Sequence, residues 1–145
     1  MSMINKFMIK NLPFLLSGIV VGIILFQSGL VAPAINKLVN ANDASNLLRF
    51  IWPKFFILIG VISFVSFLIA FYYNTDQNLF KYFSFASFIL MLICYLIIPS
   101  INEAKDTSNE QLWSILHLLT IVLTLITLLL NILAIFFWKS NNQIH

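Results

Sequence analysis

His117 is the single ionisable residue in the apolar run from Leu112 to Trp138. Imidazole titrates near neutrality and ligates metals, and an ionisable group inside a membrane-length run is a functional position by default. The alternative is structural: the ring hydrogen-bonds across to a Ser, a Thr or a backbone carbonyl of a neighbouring helix. His117 does not stand alone. Thr120, Thr124, Thr127 and Asn131 follow it at spacings of 3, 4, 3 and 4, and Trp113 and Glu110 extend the series backwards. That spacing draws one stripe along a helix. In lipid such a stripe turns towards neighbouring helices, where Thr and Asn act as interhelical glue.

Other chemistry is thin. Cys94 and Met91, three residues apart, offer soft sulfur to a copper-like ion, but two sulfurs without a third ligand read equally as packing residues. Bis-histidine haem ligation needs a second intramembrane histidine, and His145 lies at the terminus. Met91 as an axial ligand falls 8 residues, about 12 Å, inside Pro99. No Ser-His-Asp constellation, P-loop, CxxC or HExxH pattern occurs. No enzyme, no metal and no cofactor is therefore expected.

The elements that must position these residues are set by composition. Of 145 residues, 61% are hydrophobic and 9% charged, with mean hydropathy +0.98; a soluble domain carries about 25% charged residues. The charges are segregated, leaving 12–35, 55–73, 82–101 and 112–138 free of Asp, Glu, Lys and Arg. Each run is long enough to cross a bilayer as a helix. The fold class is an all-α membrane protein, a single four-transmembrane-helix domain with helices at about 12–35, 53–73, 79–99 and 111–138. The net charge of +3 forms no basic patch, so no nucleic acid is expected. The lipid bilayer is the obligatory partner, with a membrane-protein partner or a second copy as the alternative. Abundant Ile, Leu, Phe and Asn suggest an AT-rich genome, and a bacterial inner membrane is the expected location. Lys6, Lys10, Lys81 and Lys139 on one side balance Lys37, Arg49, Lys54 and Lys105 on the other, so the positive-inside rule assigns no orientation.

Taken in order, the first helix places Gly18, Gly22, Leu25 and Gly29 on one face, and small residues let backbones approach in lipid. Pro33 weakens it near its end. Asn36–Trp52 reads as a loop, with Asp43 capping a short amphipathic helix over 44–51. Trp52-Pro53 opens the second helix, whose seam is Gly60, Ser63, Phe67 and Ala70. The third carries Ser84, Ser87, Met91, Cys94 and Ile98 and ends at Pro99. These periods predict a left-handed bundle.

Leu30–Lys37 echoes Leu96–Glu103, sharing Pro-x-Ile-Asn, and each octet is followed by a tryptophan that opens the next helix. Two duplicated hairpins running in the same direction are inferred. Asn36, Asn102, Trp52, Trp113, Glu103 and His117 then fall on one side of the membrane. With Thr120 they form a candidate ligand site near Pro33, Pro99 and His117. Gly18, Gly22, Gly29, Gly60, Ser63, Thr124, Thr127 and Asn131 are the candidate packing positions.

The order of a glycine-bearing first helix, Ala32-Pro33, Ile51-Trp52-Pro53, Gly60, Pro99 and Leu116-His117 resembles the transmembrane-protein-205-like family of small four-helix membrane proteins. That family follows Leu-His with a serine where this chain has Thr120. The resemblance implies a membrane bundle, with export or soft-metal handling as its functional hint. The leading expectation is a non-enzymatic ligand-binding or transporter-like module. The alternatives are an accessory subunit of a larger membrane complex and a haem-binding redox subunit.

Overall fold

A computed structural model of the chain describes residues 3–138; the Lys6 side chain, Lys139 and His145 lie outside the described part. The chain forms α1 (Met3–Phe26), a π-helical turn (Gln27–Val31), α2 (Ala32–Leu38), α3 (Ala41–Tyr73), α4 (Asn78–Asp106) and α5 (Glu110–Phe136). Four helical stretches are long and apolar enough to cross a membrane: Phe7–Leu38, Ala41–Tyr73, Asn78–Asp106 and Glu110–Phe136. The chain is an all-α bundle of four spans.

The helices outrun the apolar segments. Hydropathy marks the part of a helix that meets lipid, whereas the helix itself continues into water wherever its end is capped. The region read as a loop with a separate short helix is the first three turns of α3. The cap is Asn40 rather than Asp43. Asn40 Oδ1 accepts from the Asp43 N–H at 3.0 Å, and its Nδ2 donates to Asp43 Oδ2 at 2.6 Å. Pro53 and Pro99 lie inside α3 and α4, respectively, rather than at their ends. Proline is tolerated within membrane helices because neighbouring groups re-satisfy the freed carbonyl. Thr107 caps the end of α4, its hydroxyl donating to the Glu103 carbonyl at 2.9 Å. Ser108 at φ 57° then turns the chain into α5, where Asn109 Oδ1 accepts from the Leu112 N–H at 3.1 Å.

Pro33 acts one turn earlier than expected. It has no N–H to give the carbonyl four residues back, and its ring presses on that carbonyl. The preceding turn is widened: the Ala32 N–H bonds Gln27 O, five residues back. The span therefore continues past Pro33 to Leu38 instead of fading at it.

The spans alternate in direction. α1 packs against α3 and α5, and α4 packs against α3 and α5, which closes a four-membered antiparallel ring. In lipid its cohesion comes from van der Waals packing and interhelical hydrogen bonds rather than from expelled water. The core stacks Val20 and Ile24 of α1 on Phe56 and Ile59 of α3 and on Met91 and Cys94 of α4. A second cluster, Ala70, Phe80 and Ala134, fills the far end together with Trp138. Polar ties accompany the packing. Ser66 Oγ donates to the Pro13 carbonyl at 3.3 Å and Asn74 Nδ2 to the Lys10 carbonyl at 2.8 Å, joining α3 to α1.

The stripe on α5 faces inward: Thr120, Thr124, Thr127 and Asn131 are all buried. The three threonine hydroxyls bond carbonyls of their own helix, those of His117, Thr120 and Leu123. On α4, Ser84, Ser87, Met91, Cys94 and Ile98 are buried as spaced. On α3, Gly60, Ser63 and Ala70 are buried, while Phe67 is half-buried and stacks on Phe64.

The first span departs from expectation. Gly18, Gly22 and Gly29 are exposed, with no heavy atom within 4 Å of where a Cβ would stand. Its buried stripe is Pro13, Ser17, Val20, Ile24 and Gln27. The two stripes share one period and differ by a small rotation. The inner one turns the Ser17 and Gln27 side chains into the bundle, where Ser17 Oγ and Gln27 Nε2 find no hydrogen-bond partner among the described residues.

Candidate functional site

A cleft of about 690 Å³ opens at the end of the bundle where α2, the start of α3, the end of α4 and the start of α5 meet. That size is typical of small-molecule sites. Asn36, Trp52, Asn102, Trp113, His117 and Thr120 all line it. Four helices thus deliver six of the seven candidate residues to one concavity. Glu103 is the exception: it is exposed and not part of the lining, because α4 runs on and turns that position outward. Pro33 and Pro99 are likewise exposed and stand behind the wall.

Each wall has a distinct chemistry. On the α3 side, Trp52 stacks on Phe56 at 5.7 Å between centroids and meets Phe55 edge-on at 5.4 Å. Arg49 and Ser45 sit one and two turns nearer the mouth, respectively. These turns exist only because Asn40 starts the helix so early. On the α5 side, the His117 ring lies parallel to Trp113, at 5.2 Å and 7°. Lys105 Nζ also lies over this indole, 4.7 Å from its centroid. Lys105, Trp113 and His117 therefore form one column from the rim inward. The half-buried His117 ring makes no hydrogen bond among the described residues. Deeper down, Thr124, Ile98 and Leu125 complete an apolar floor with a few hydroxyls. Ser28 and Ala32, on and just after the π-helical turn, form the fourth side. The widened turn is what rotates these two residues and Asn36 onto the cleft, and such turns recur at functional positions.

Sequence reasoning missed Arg49 and Lys105 as site residues. Each is paired at the rim. Arg49 Nη2 lies 2.6 Å from Asp106 Oδ1 and its Nη1 bonds Oδ2 at 3.2 Å, a two-point contact between α3 and α4. Lys105 Nζ bonds Glu110 Oε1 at 2.9 Å. Hydrogen bonding from Arg49 holds the Asp106 carboxyl below the usual carboxylate range, and Asp106 in turn raises the Arg49 guanidinium. Glu110 continues the stripe in spacing but points to solvent, because the first turn of α5 stands above the bundle. The available signal was the basic pair itself, since Arg49 lies one turn before Trp52 and Lys105 eight residues before Trp113.

Met91 and Cys94 are fully buried in the apolar core. The Cys94 thiol reaches the Thr120 carbonyl at 4.0 Å.

Antiparallel spans closed into a ring, with an aromatic and basic cleft at one end, define a small multi-pass helical membrane protein. The chain belongs to the family described as a domain of unknown function, DUF4149, whose model matches residues 15–110. That match stops at the first residue of α5, so Trp113, His117 and the threonine row lie beyond it. It does not carry the transmembrane-protein-205-like name. Neither the curated proteins nor the solved structures contain a match to this chain.

Proposed function

We propose that this protein is a non-enzymatic, membrane-embedded binding module, transporter-like in build, that admits a small ligand to the cleft between Asn36, Trp52, Asn102 and His117. The convergence of those residues, from four different helices, on one concavity is the observation that carries this reading. Aromatic walls, a few convergent polar groups and an apolar floor are the make-up of small-molecule sites. The His117 ring has donor capacity that no described residue uses.

The order of Ala32-Pro33, Trp52-Pro53, Gly60, Pro99 and Leu116-His117 supports kinship with the transmembrane-protein-205-like proteins. A bacterial inner membrane is the location that the composition suits. The two Pro-x-Ile-Asn elements, one beside the cleft on α2 and one on α4, support descent from a duplicated hairpin.

The test is to purify the protein in a non-ionic detergent and extract and weigh bound small molecules. Wild type carries a molecule near one-to-one stoichiometry. Ser28→Trp, which fills the cleft from an exposed position, and His117→Ala lose it while keeping their helix content. Equal occupancy in all three removes the site.

The outward face of α1 favours a second reading, in which the protein is an accessory that docks another membrane helix or a second copy of itself. Gly18, Gly22 and Gly29 leave open space where a foreign backbone could approach. Crosslinking in native membranes separates the readings: a stoichiometric partner lost on Gly22→Leu favours docking, and a solitary protein with a filled cleft favours the module.

A further inference from the structure

The charged side chains that line the cleft are Arg49 and Lys105, both basic. Their acidic partners, Asp106 and Glu110, stand outside it. The asymmetry shows in exposure: the Arg49 side chain is 31% exposed against 61% for Asp106, and Lys105 is 40% against 64% for Glu110. The cations face inward and the acids face water. Beneath them the cleft turns from Asn36 and Asn102 to Phe56, Ile98 and Leu125. Polarity thus falls in one direction, from a basic rim through an amide and imidazole belt to an apolar floor.

A free anion uses only the rim, and an apolar molecule uses only the floor. A molecule that satisfies both has a single negative head and an aliphatic tail. We propose that the ligand of this cleft is a single-chain amphiphile with an anionic head, a carboxylate or a phosphate monoester. Its head is clamped by Arg49 and Lys105 and its tail lies along Phe56, Ile98 and Leu125. This rests on the cleft being a binding site and adds the class of molecule that it takes.

Binding has a specific consequence for the rim. The fork of Arg49, now spent on both oxygens of Asp106, matches a second carboxylate or a phosphate equally well. Lys105 can swing its ammonium from Glu110 towards the head without leaving Trp113. The rim acids are therefore competitors of the ligand. Removing one frees its cation and strengthens binding, the opposite of what loss of a structural ion pair does.

The experiment uses the full chain carrying Trp138→Phe, which leaves Trp52 and Trp113, both in the cleft, as the fluorophores. A brominated long-chain fatty acid and the brominated alcohol of the same length are titrated in non-ionic detergent micelles. The acid quenches with an apparent affinity about tenfold above that of the alcohol, as loss of one charged hydrogen bond of about 1.5 kcal/mol implies. Arg49→Gln and Lys105→Gln each erase most of that preference, and Asp106→Asn increases it. Equal quenching by acid and alcohol, abolished in both cases by Ser28→Trp, overturns the anionic head while leaving a binding cleft. Displacement of the acid by millimolar acetate overturns the amphiphile, since it shows that the rim alone holds the ligand. Quenching by neither compound overturns both the proposal and the module beneath it.

Discussion

Asn131 on α5 donates its side-chain amide to the Ser87 hydroxyl on α4 at 3.0 Å, inside the bundle. The same nitrogen also bonds the Thr127 carbonyl of its own helix at 2.9 Å. One amide thus pins two antiparallel spans at a depth where no water competes.

Interhelical bonds of this kind average about 0.6 kcal/mol and reach about 1.7 kcal/mol. Asn131→Ala is expected to lower unfolding stability within that range, and Ser87→Ala by less, because serine retains fewer contacts. The double variant is expected to fall short of the sum of the two. Unfolding in mixed detergent micelles measures all three, and strict additivity would show that the bond contributes nothing.

The threonine and asparagine row on α5 was legible from sequence because polar groups in lipid can turn only one way. The face of α1 was not. Glycine has no side chain to be pulled inward, and Val20 and Ile24 contrast with lipid no more than Leu15 or Leu25 do. Only Ser17 and Gln27 marked the buried stripe, and the glycine spacing masked them. The extent of α3 was hidden for another reason. Asn40-Ala41-Asn42-Asp43 is turn chemistry and helix-cap chemistry at once, and hydropathy is silent on a helix that stands in water. The six cleft residues could be grouped on one side of the membrane from topology alone. The place of Asn36 among them depended on the widened turn before Pro33, which no local pattern announced.

Glycines at different addresses are expected to respond differently. A Cβ at Gly60 would stand 3.6 Å from Met91 Cβ, an ordinary contact, so Gly60→Ala is expected to be nearly neutral. Gly60→Leu overfills the α3–α4 seam and is expected to cost about 1–3 kcal/mol. Gly22→Leu meets open space and is expected to change monomer stability by less than about 0.5 kcal/mol. Thermal unfolding of the three variants ranks them; a Gly22→Leu protein as damaged as Gly60→Leu would place the glycine face inside the fold.

Asn40 is expected to control the mouth of the cleft from its edge. Asn40→Ala removes the cap of α3 at a cost of about 1 kcal/mol, concentrated in the turns that carry Ser45 and Arg49. Hydrogen exchange over 41–50 is expected to quicken while exchange in the membrane-buried part of α3 stays unchanged. Uniform quickening along the whole helix would show that the cap supports the span rather than the mouth.

The tie between α3 and α4 at the rim is expected to loosen in acid. Asp106 has its folded pKa depressed by Arg49, so its contribution is present above the unfolded value of about 3.9. It disappears as pH falls through the lower, folded value. Spin labels at Asn46 and Thr107, both exposed, are expected to give a narrow distance distribution at pH 7 that broadens well below pH 4. Asp106→Asn is expected to be broad throughout. A wild-type distribution indifferent to acid would show that the contact does not hold the two helix ends together.

Trp138 sits between Phe14 at 6.2 Å and Phe80 at 4.9 Å, so the end opposite the cleft is stoppered with aromatic rings. The two ends of the bundle therefore differ, one opened by the cleft and the other filled. If the cleft takes a ligand as proposed, that ligand would have to leave by the end it entered, because the opposite end of the spans is packed shut.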